Sequence, residues 1–441
     1  MAKRNGRGRS SCQPTGDACN FCGRTDAAAG PYVTGNQPGR SRICYVCALE
    51  ICNDVRELRN QFDICQCEPE HPEIKKSAVP SPKEIVDFLD THVVGQSGSK
   101  RKLAIAISNH YQRVLYQHNP DRPGMGAKII EDPELANVTI EKSNVCLIGP
   151  TGSGKTHLLQ SLAKYLKVPF AIGDATSLTE AGYVGEDVES LLLKLLVAAD
   201  YDLDAAEHGI LYIDEIDKIA KTTPFRSITR DASGEGVQQC LLKLMEGTIA
   251  NVPPQGGRKH PEQPYIKMDT SNILFIVGGA FTELPGIIAD RLGTNSGCDI
   301  GFTQKTEQRT QVDEQDLLQY VLPEDLQAFG LIPEFVGRLP VLSTLNELSV
   351  DDLVKVLTEP QNALVKQYRK QFQFHGADVQ FTPEAVREIA TLAYRRGIGA
   401  RGLRSVMENV MEDLLFDLPG QPEGMQWTVT ECQVTGEEFP F

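Results

Sequence analysis

The run Gly149-Pro150-Thr151-Gly152-Ser153-Gly154-Lys155-Thr156 fills every position of the pattern G-x-x-x-x-G-K-[ST]. In that pattern, glycines let successive backbone N–H groups turn inward on phosphates. Residues 144–148 before it form an apolar run that reads as a buried strand, and residues 157–166 after it carry helical apolar spacing. The loop therefore joins a strand to a helix, which is the context the chemistry requires. The helix N-terminus adds positive potential, the Lys155 ammonium reaches the terminal phosphates, the Thr156 hydroxyl ligates Mg²⁺, and His157 opens the helix beside them. Taken together, residues 149–157 are the expected cradle of a nucleoside triphosphate.

A second element points to hydrolysis. Residues 209–215, Gly-Ile-Leu-Tyr-Ile-Asp-Glu, form an apolar run ending in two acids. Asp214 at a strand end can hold Mg²⁺ through water, and Glu215 is placed to polarise the attacking water. Alone, such a run could be a strand followed by an acidic surface turn. The phosphate loop about sixty residues upstream favours the catalytic reading.

Cysteines supply a third constellation. Cys19-x-x-Cys22 and Cys44-x-x-Cys47 are separated by 21 residues, slightly beyond the usual ~15–20 of a four-cysteine zinc ribbon. Each C-x-x-C turn brings two thiolates to one side, and four satisfy tetrahedral Zn²⁺. A unit this small has too little core to fold unaided, so the metal is expected to stabilise it. Disulfides or redox chemistry are the alternative, disfavoured for an enzyme expected in a reducing compartment. Cys12, Cys52, Cys65 and Cys67 are spare, while Cys146, Cys240 and Cys298 read as packing or surface residues.

At 441 residues the chain is too long for one ordinary core, and roughly 150 residues per domain suggests two or three units. A net charge of −15 argues against general binding of nucleic acid, whose affinity comes largely from Lys and Arg. The basic start (Lys3, Arg4, Arg7, Arg9) reads as a solvated tail, with a mitochondrial address left open. No apolar run approaches the ~20 residues that span a bilayer, and no signal-peptide core follows the start, so a soluble, non-secreted protein without membrane partners is expected.

These anchors divide the chain into a zinc-binding unit over residues 1–60, a Pro- and charge-rich linker over 61–80, a large nucleotide-binding domain over 81–342 and a smaller domain over 343–441. Ser81 as N-cap, Pro82 at the first helical position and Glu84 as capping-box partner announce a helix at the start of the large domain. Strands and helices then alternate to about Pro340, which predicts an α/β fold with a helix-covered parallel sheet. Beyond it, residues 350–358, 383–396 and 402–416 read as helices, the second capped by Thr382 and ended by Gly397. Short β-type alternation returns in the last twenty or so residues.

Longer motifs carry a family resemblance. Residues 174–187, 227–246, 253–261 and 331–340, with Gly399-Ala400-Arg401-Gly402-Leu403-Arg404-Ser405, closely resemble the ClpX family of AAA+ protein unfoldases that serve the ClpP peptidase. The resemblance covers nearly the whole chain, zinc unit included. It implies an AAA+ P-loop NTPase fold, ATP, Mg²⁺ and Zn²⁺, and a homohexamer whose pore threads tagged or unfolded proteins. It also implies adaptor proteins on the zinc unit and a bacterial cytoplasmic setting, or a mitochondrial matrix.

The resemblance also assigns residues. It makes Tyr183 and Val184 the grip on substrate in the pore, places Arg230 in a second pore loop, and sets Arg258, Lys259 and His260 at the pore entrance. Ala232 stands in that second loop where a branched residue is expected. Arg338 looks like the arginine finger that reaches a neighbouring subunit's nucleotide, and Arg401 like the second-sensor arginine; salt bridges are the alternative for both. Val93 and Val94 match the segment that cradles adenine, and Ile300-Gly301-Phe302 matches the loop that docks on ClpP. After residues 277–279, Ala280 occupies a position where many AAA+ proteins place a polar first sensor, and no such residue is evident. Alternatives are a remodeller without a peptidase, an HslU-type partner of another protease, a nucleic-acid motor, and a zinc-mediated binding module. Intact Lys155 and Glu215 disfavour the last, and the acidic charge disfavours the motor.

Overall fold

The computed structural model describes residues 32–34, 42–44, 47, 79–118, 138–179, 186–220, 234–253, 265–293, 317–420 and 424–435. The chain divides into two units, residues 1–76 with 260–265, and residues 77–259 with 266–441. In the first, β1 (Tyr32–Thr34) pairs antiparallel with β2 (Arg42–Cys44), Tyr32 lying opposite Cys44. Cys44 and Cys47 are buried; Cys19 and Cys22 lie outside the described residues.

The second unit is built on a parallel sheet of β3 (Val145–Ile148), β4 (Phe170–Asp174), β5 (Ile210–Asp214), β6 (Leu274–Gly279) and β7 (Val341–Thr344), in the order β7-β3-β6-β5-β4. All of β3 and β6 and residues 210–213 of β5 are buried, as continuous apolar strands of a sheet covered on both faces should be. On one face, Ile85, Leu89, Leu103, Ile107, Leu158 and Leu162, from helices Pro82–His92, Ser97–His118 and Lys155–Leu166, share a core with Val145, Leu147, Ile210, Tyr212, Leu274 and Ile276. From β3 the chain crosses two strands to reach β4 and later returns to β7 on the other side. Such a reversal opens a crevice at the carboxyl ends of the strands, and the glycine loop sits there.

Local signals explain the elements. The Ser81 hydroxyl accepts the Glu84 N–H at 3.4 Å, and the Glu84 carboxylate accepts the Ser81 N–H at 2.7 Å. Thr382 caps helix Pro383–Arg395 through the Ala385 N–H, and Gly397 follows it at φ +68°. That helix packs with Val350–Thr358, Leu364–Phe374 and Ala400–Asp417 around Leu353, Phe372, Ile389, Leu403, Met407 and Met411, so the C-terminal lobe is helical. β7 lies past Pro340, where the sequence alternation reads as ending. It is a short edge strand, mostly half-buried and paired, among the described strands, with β3 alone, so its apolar pattern is weak. The parallel pair of β8 (Asp378–Phe381) and β9 (Gln426–Val429) joins the helical core through Val379 and Val429.

The buried Cys146 thiol of β3 is pushed up to about 12 by burial first and by the Asp217 carboxylate second. Only the thiolate reacts. Peptide-resolved mass spectrometry after alkylation near pH 8 is therefore expected to find Cys146 unmodified in the folded protein and modified in denaturant.

Candidate active site

The loop leaves β3 under steric constraint. The Leu345 N–H bonds the Ile148 carbonyl at 2.7 Å, and a Cβ at Gly149 would lie 2.8 Å from the Leu345 oxygen, so only glycine fits. Gly152 and Gly154 turn the backbone at φ +82° and +95°, conformations costing other residues roughly 1–2 kcal/mol. The Gly154 carbonyl then accepts the Leu158 N–H at 2.9 Å, opening helix Lys155–Leu166. The Ser153 hydroxyl is buried without a hydrogen-bond partner, leaving a polar group for a phosphate oxygen to satisfy.

Lys155 is 8% exposed. Its ammonium donates to the carbonyls of Gly149 at 2.6 Å and Pro150 at 3.1 Å. Burial holds its pKa below the usual lysine value, Asp214 and Asp217 oppose that shift, Arg401 adds to it, and Glu215 opposes it. Beside it, the Thr156 hydroxyl donates to Asp214 Oδ2 at 3.2 Å, and Asp214 Oδ1 accepts the Glu215 N–H at 3.0 Å. A hydroxyl and a carboxylate in contact are the hard oxygen donors that suit Mg²⁺. Glu215, at φ +56°, is exposed on the turn past β5, while His157 and Thr151 are exposed on the rim.

The helical lobe closes the loop from above. The Ala400 N–H donates to the Gly152 carbonyl at 3.2 Å, and a Cβ at Gly152 would come within 2.4 Å of the Ile398 oxygen. Arg401 follows, exposed and close enough for its charge to act on Lys155. Residues 91–100 are tied to the connection that follows β7. Val93 is buried and Val94 half-buried, and Lys100 bonds Asp90 and the Val93 carbonyl. Gln96 exchanges hydrogen bonds with the Asn346 backbone at 2.7 and 2.9 Å. Asn346 adjoins Leu345, so the segment and the loop are braced on the same connection.

Arg338 stands apart. Its carbonyl accepts the Asn144 side-chain amide at 3.0 Å, at the start of β3, whereas the loop leaves its end. Four strand residues span roughly 13 Å. The guanidinium pairs instead with Glu246 at 2.9 Å, both side chains being about half exposed.

Residues 140–342 match the family described as AAA domain (Cdc48 subfamily), and residues 348–424 match the C-terminal, D2-small domain, of ClpB protein. Proteins named ATP-dependent Clp protease ATP-binding subunit ClpX, from two strains of Porphyromonas gingivalis, are 47% identical over 401 residues, 91% of this chain and 91% of theirs. The chain belongs to the ClpX family. It is an AAA+ ATPase, an activity that uses nucleotide and Mg²⁺.

Within that ClpX-family frame, the structure brings Lys155, Thr156, Asp214 and Arg401 to one place and leaves Arg338 at the far end of β3. Tyr183, Val184, Arg230, Arg258, Lys259, His260, Ile300, Gly301 and Phe302 lie outside the described residues. Among the described residues no group of three metal-ligating side chains occurs, and no helix is long and apolar enough to cross a membrane. Sequence reasoning missed Asp217, 7% exposed, and the bracing by Gln96, Leu345 and Asn346. Asp217 was visible only as a third acid after Asp214 and Glu215, and no spacing rule marks the others.

Gly152→Ala would force a side chain into positive φ and against Ile398. We expect at least about a tenfold loss of ATP affinity, the ratio that 1.4 kcal/mol produces, measured by titration of a fluorescent ATP analogue.

Proposed function

We propose that this protein is an ATP-driven unfoldase and translocase that assembles as a homohexamer, draws tagged or unfolded proteins through its pore and delivers them to a ClpP-type peptidase. The observation that carries this reading is the convergence of Lys155, the Thr156–Asp214 pair and the Gly399–Arg401 segment on one loop, in a chain 47% identical to proteins named as subunits of the Clp protease.

Hydrolysis follows from the geometry. Lys155 exchanges the Gly149 and Pro150 carbonyls for phosphate oxygens, and the Ser153 hydroxyl and the loop N–H groups bind the rest. Thr156 and Asp214 would hold Mg²⁺, which would supply charge neutralisation at the phosphates. Glu215 polarises the attacking water, and Val93 and Val94 offer apolar contact to the base. Arg401 binds phosphate from the helical lobe. Because Ala400 is bonded to Gly152, a change in the loop is transmitted to that lobe.

Arg338, anchored at the wrong end of β3 to reach its own loop, serves the neighbouring subunit. An exposed pair such as Arg338–Glu246 is worth about 0–1 kcal/mol, so releasing the guanidinium costs little. An arginine supplied across an interface accelerates related reactions by ~10³–10⁵.

The remaining assignments rest on the family. Cys19, Cys22, Cys44 and Cys47 hold Zn²⁺ in a domain over residues 1–60 that receives adaptors; the burial of Cys44 and Cys47 fits thiolates gathered at a hairpin. A linker over 61–80, a large domain over 81–342 and a small domain over 343–441 complete the chain. Tyr183 and Val184, with Arg230, line the pore; Arg258, Lys259 and His260 surround its entrance; Ile300, Gly301 and Phe302 dock on the peptidase. The setting is the bacterial cytoplasm.

The test is degradation of a stably folded, tagged reporter by the purified protein with ClpP and ATP. The wild type should destroy the reporter, Glu215→Gln should neither unfold nor degrade it, and Phe302→Ala should unfold without degrading. Unfolding by the wild type with no degradation would indicate a remodeller that works without a peptidase, and no unfolding at all would overturn the reading.

A further inference from the structure

Where β6 ends, the peptide unit between Gly279 and Ala280 is held from both sides. Its carbonyl accepts the Gly149 N–H of the phosphate loop at 3.2 Å, and its N–H donates to Asp217 Oδ1 at 3.2 Å. Asp217 is buried, and its second oxygen lies 3.4 Å from the Lys218 ammonium, which is half in solvent. The packing is close: a Cβ at Gly279 would fall 2.6 Å from Asp217 Oδ1, so glycine at 279 is what lets the carboxylate reach the backbone.

Asp217 belongs to the single turn Ile216–Ile219 that begins at Glu215. The Lys218 N–H bonds the Glu215 carbonyl at 3.0 Å, and Glu215 itself is held at φ +56° and ψ 33°. The far end of the turn is tied by Gln238, whose amide donates to the Ile219 carbonyl at 2.9 Å. A non-glycine residue in the left-handed region persists only where its surroundings fix it. The Ala280 N–H to Asp217 carboxylate bond is a polar link between this turn and the end of the neighbouring strand beside the loop.

We infer that Asp217 is a positioning residue for ATP hydrolysis: by pinning the Gly279–Ala280 peptide it sets Glu215 relative to the phosphate loop, in place of the polar side chain that Ala280 lacks. One peptide unit thereby spans the phosphate loop and the acidic turn, so the attacking water and the phosphates are referred to the same rigid group. The field of Asp217 also reaches Lys155. The inference rests on Glu215 being the water-polarising base.

The experiment measures steady-state ATP hydrolysis, affinity for a fluorescent ATP analogue and thermal stability of the full-length protein carrying Asp217→Ala, Asp217→Asn or Glu215→Gln. Asp217→Ala removes the acceptor and should lower kcat by at least about tenfold, since small misplacements of catalytic groups cost on that order, with KM and nucleotide affinity within about threefold of wild type. Asp217→Asn keeps an acceptor for the Ala280 N–H and should restore kcat to within about threefold. Asp217→Ser keeps a buried hydroxyl too short to reach Ala280, and it replaces the alanine variant if that one does not fold. Unchanged kcat in the Ala and Ser variants, an Asn variant as impaired as the others, or losses that track lost affinity and melting temperature would each overturn the inference. Hydrolysis by Glu215→Gln at the wild-type rate would overturn the base assignment instead, and is read separately.

Discussion

A buried ammonium sets the terms for this structure. Lys155 sits under the loop with its charge desolvated and its pKa depressed, and an ion so placed costs several kcal/mol unless partners surround it. The chain supplies the Gly149 and Pro150 carbonyls at hydrogen-bond distance and the carboxylates of Asp214 and Asp217 as countercharge. Each partner has a structural requirement of its own. The carbonyls turn inward only because the loop's glycines adopt backbone angles other residues avoid, and the carboxylates arrive only because β5 ends one strand away from β3, across β6. The sheet order is therefore an electrostatic requirement of the site as well as a packing solution.

The same arrangement offers a path from bound nucleotide to the helical lobe. The loop carbonyls that hold Lys155 are weak partners compared with a triphosphate, so binding changes what the ammonium bonds and how the loop is held. At Gly152 that loop is bonded to Ala400 and in contact with Ile398 and Gly399. The helical lobe has its own core around Leu353, Phe372 and Met407 and can respond as a body. Packed cores pass small displacements on as rigid shifts because they are not continuously deformable.

What was legible in the sequence followed from strong local chemistry. The glycines and Lys155 announced the loop, the apolar run into Asp214 announced the strand, and Ser81 with Glu84 announced a helix start, because each signal is made by residues adjacent in the chain. What was not legible depends on pairing across the chain. β7 has little apolar pattern of its own and is specified by β3 next to it. Gln96 and Asn346 are 250 positions apart, and the bond from Asp217 to the Ala280 backbone involves a side chain that looks like any surface acid. Arg338 shows the opposite case: the family resemblance gave it a role, and only the structure shows that its backbone is anchored at the start of β3, at the end opposite its own loop.

The central claim is that one chain carries an incomplete site, with the loop and Glu215 at one end of β3 and Arg338 at the other. Mixing subunits tests it directly. Rings made only of Glu215→Gln or only of Arg338→Ala subunits should each hydrolyse ATP poorly. In mixed rings, an interface between an Arg338→Ala subunit that binds the nucleotide and a Glu215→Gln neighbour that supplies the arginine is whole, so ATPase activity should rise well above that of either parent. Activity that stays at the average of the two parents at every mixing ratio would contradict the account.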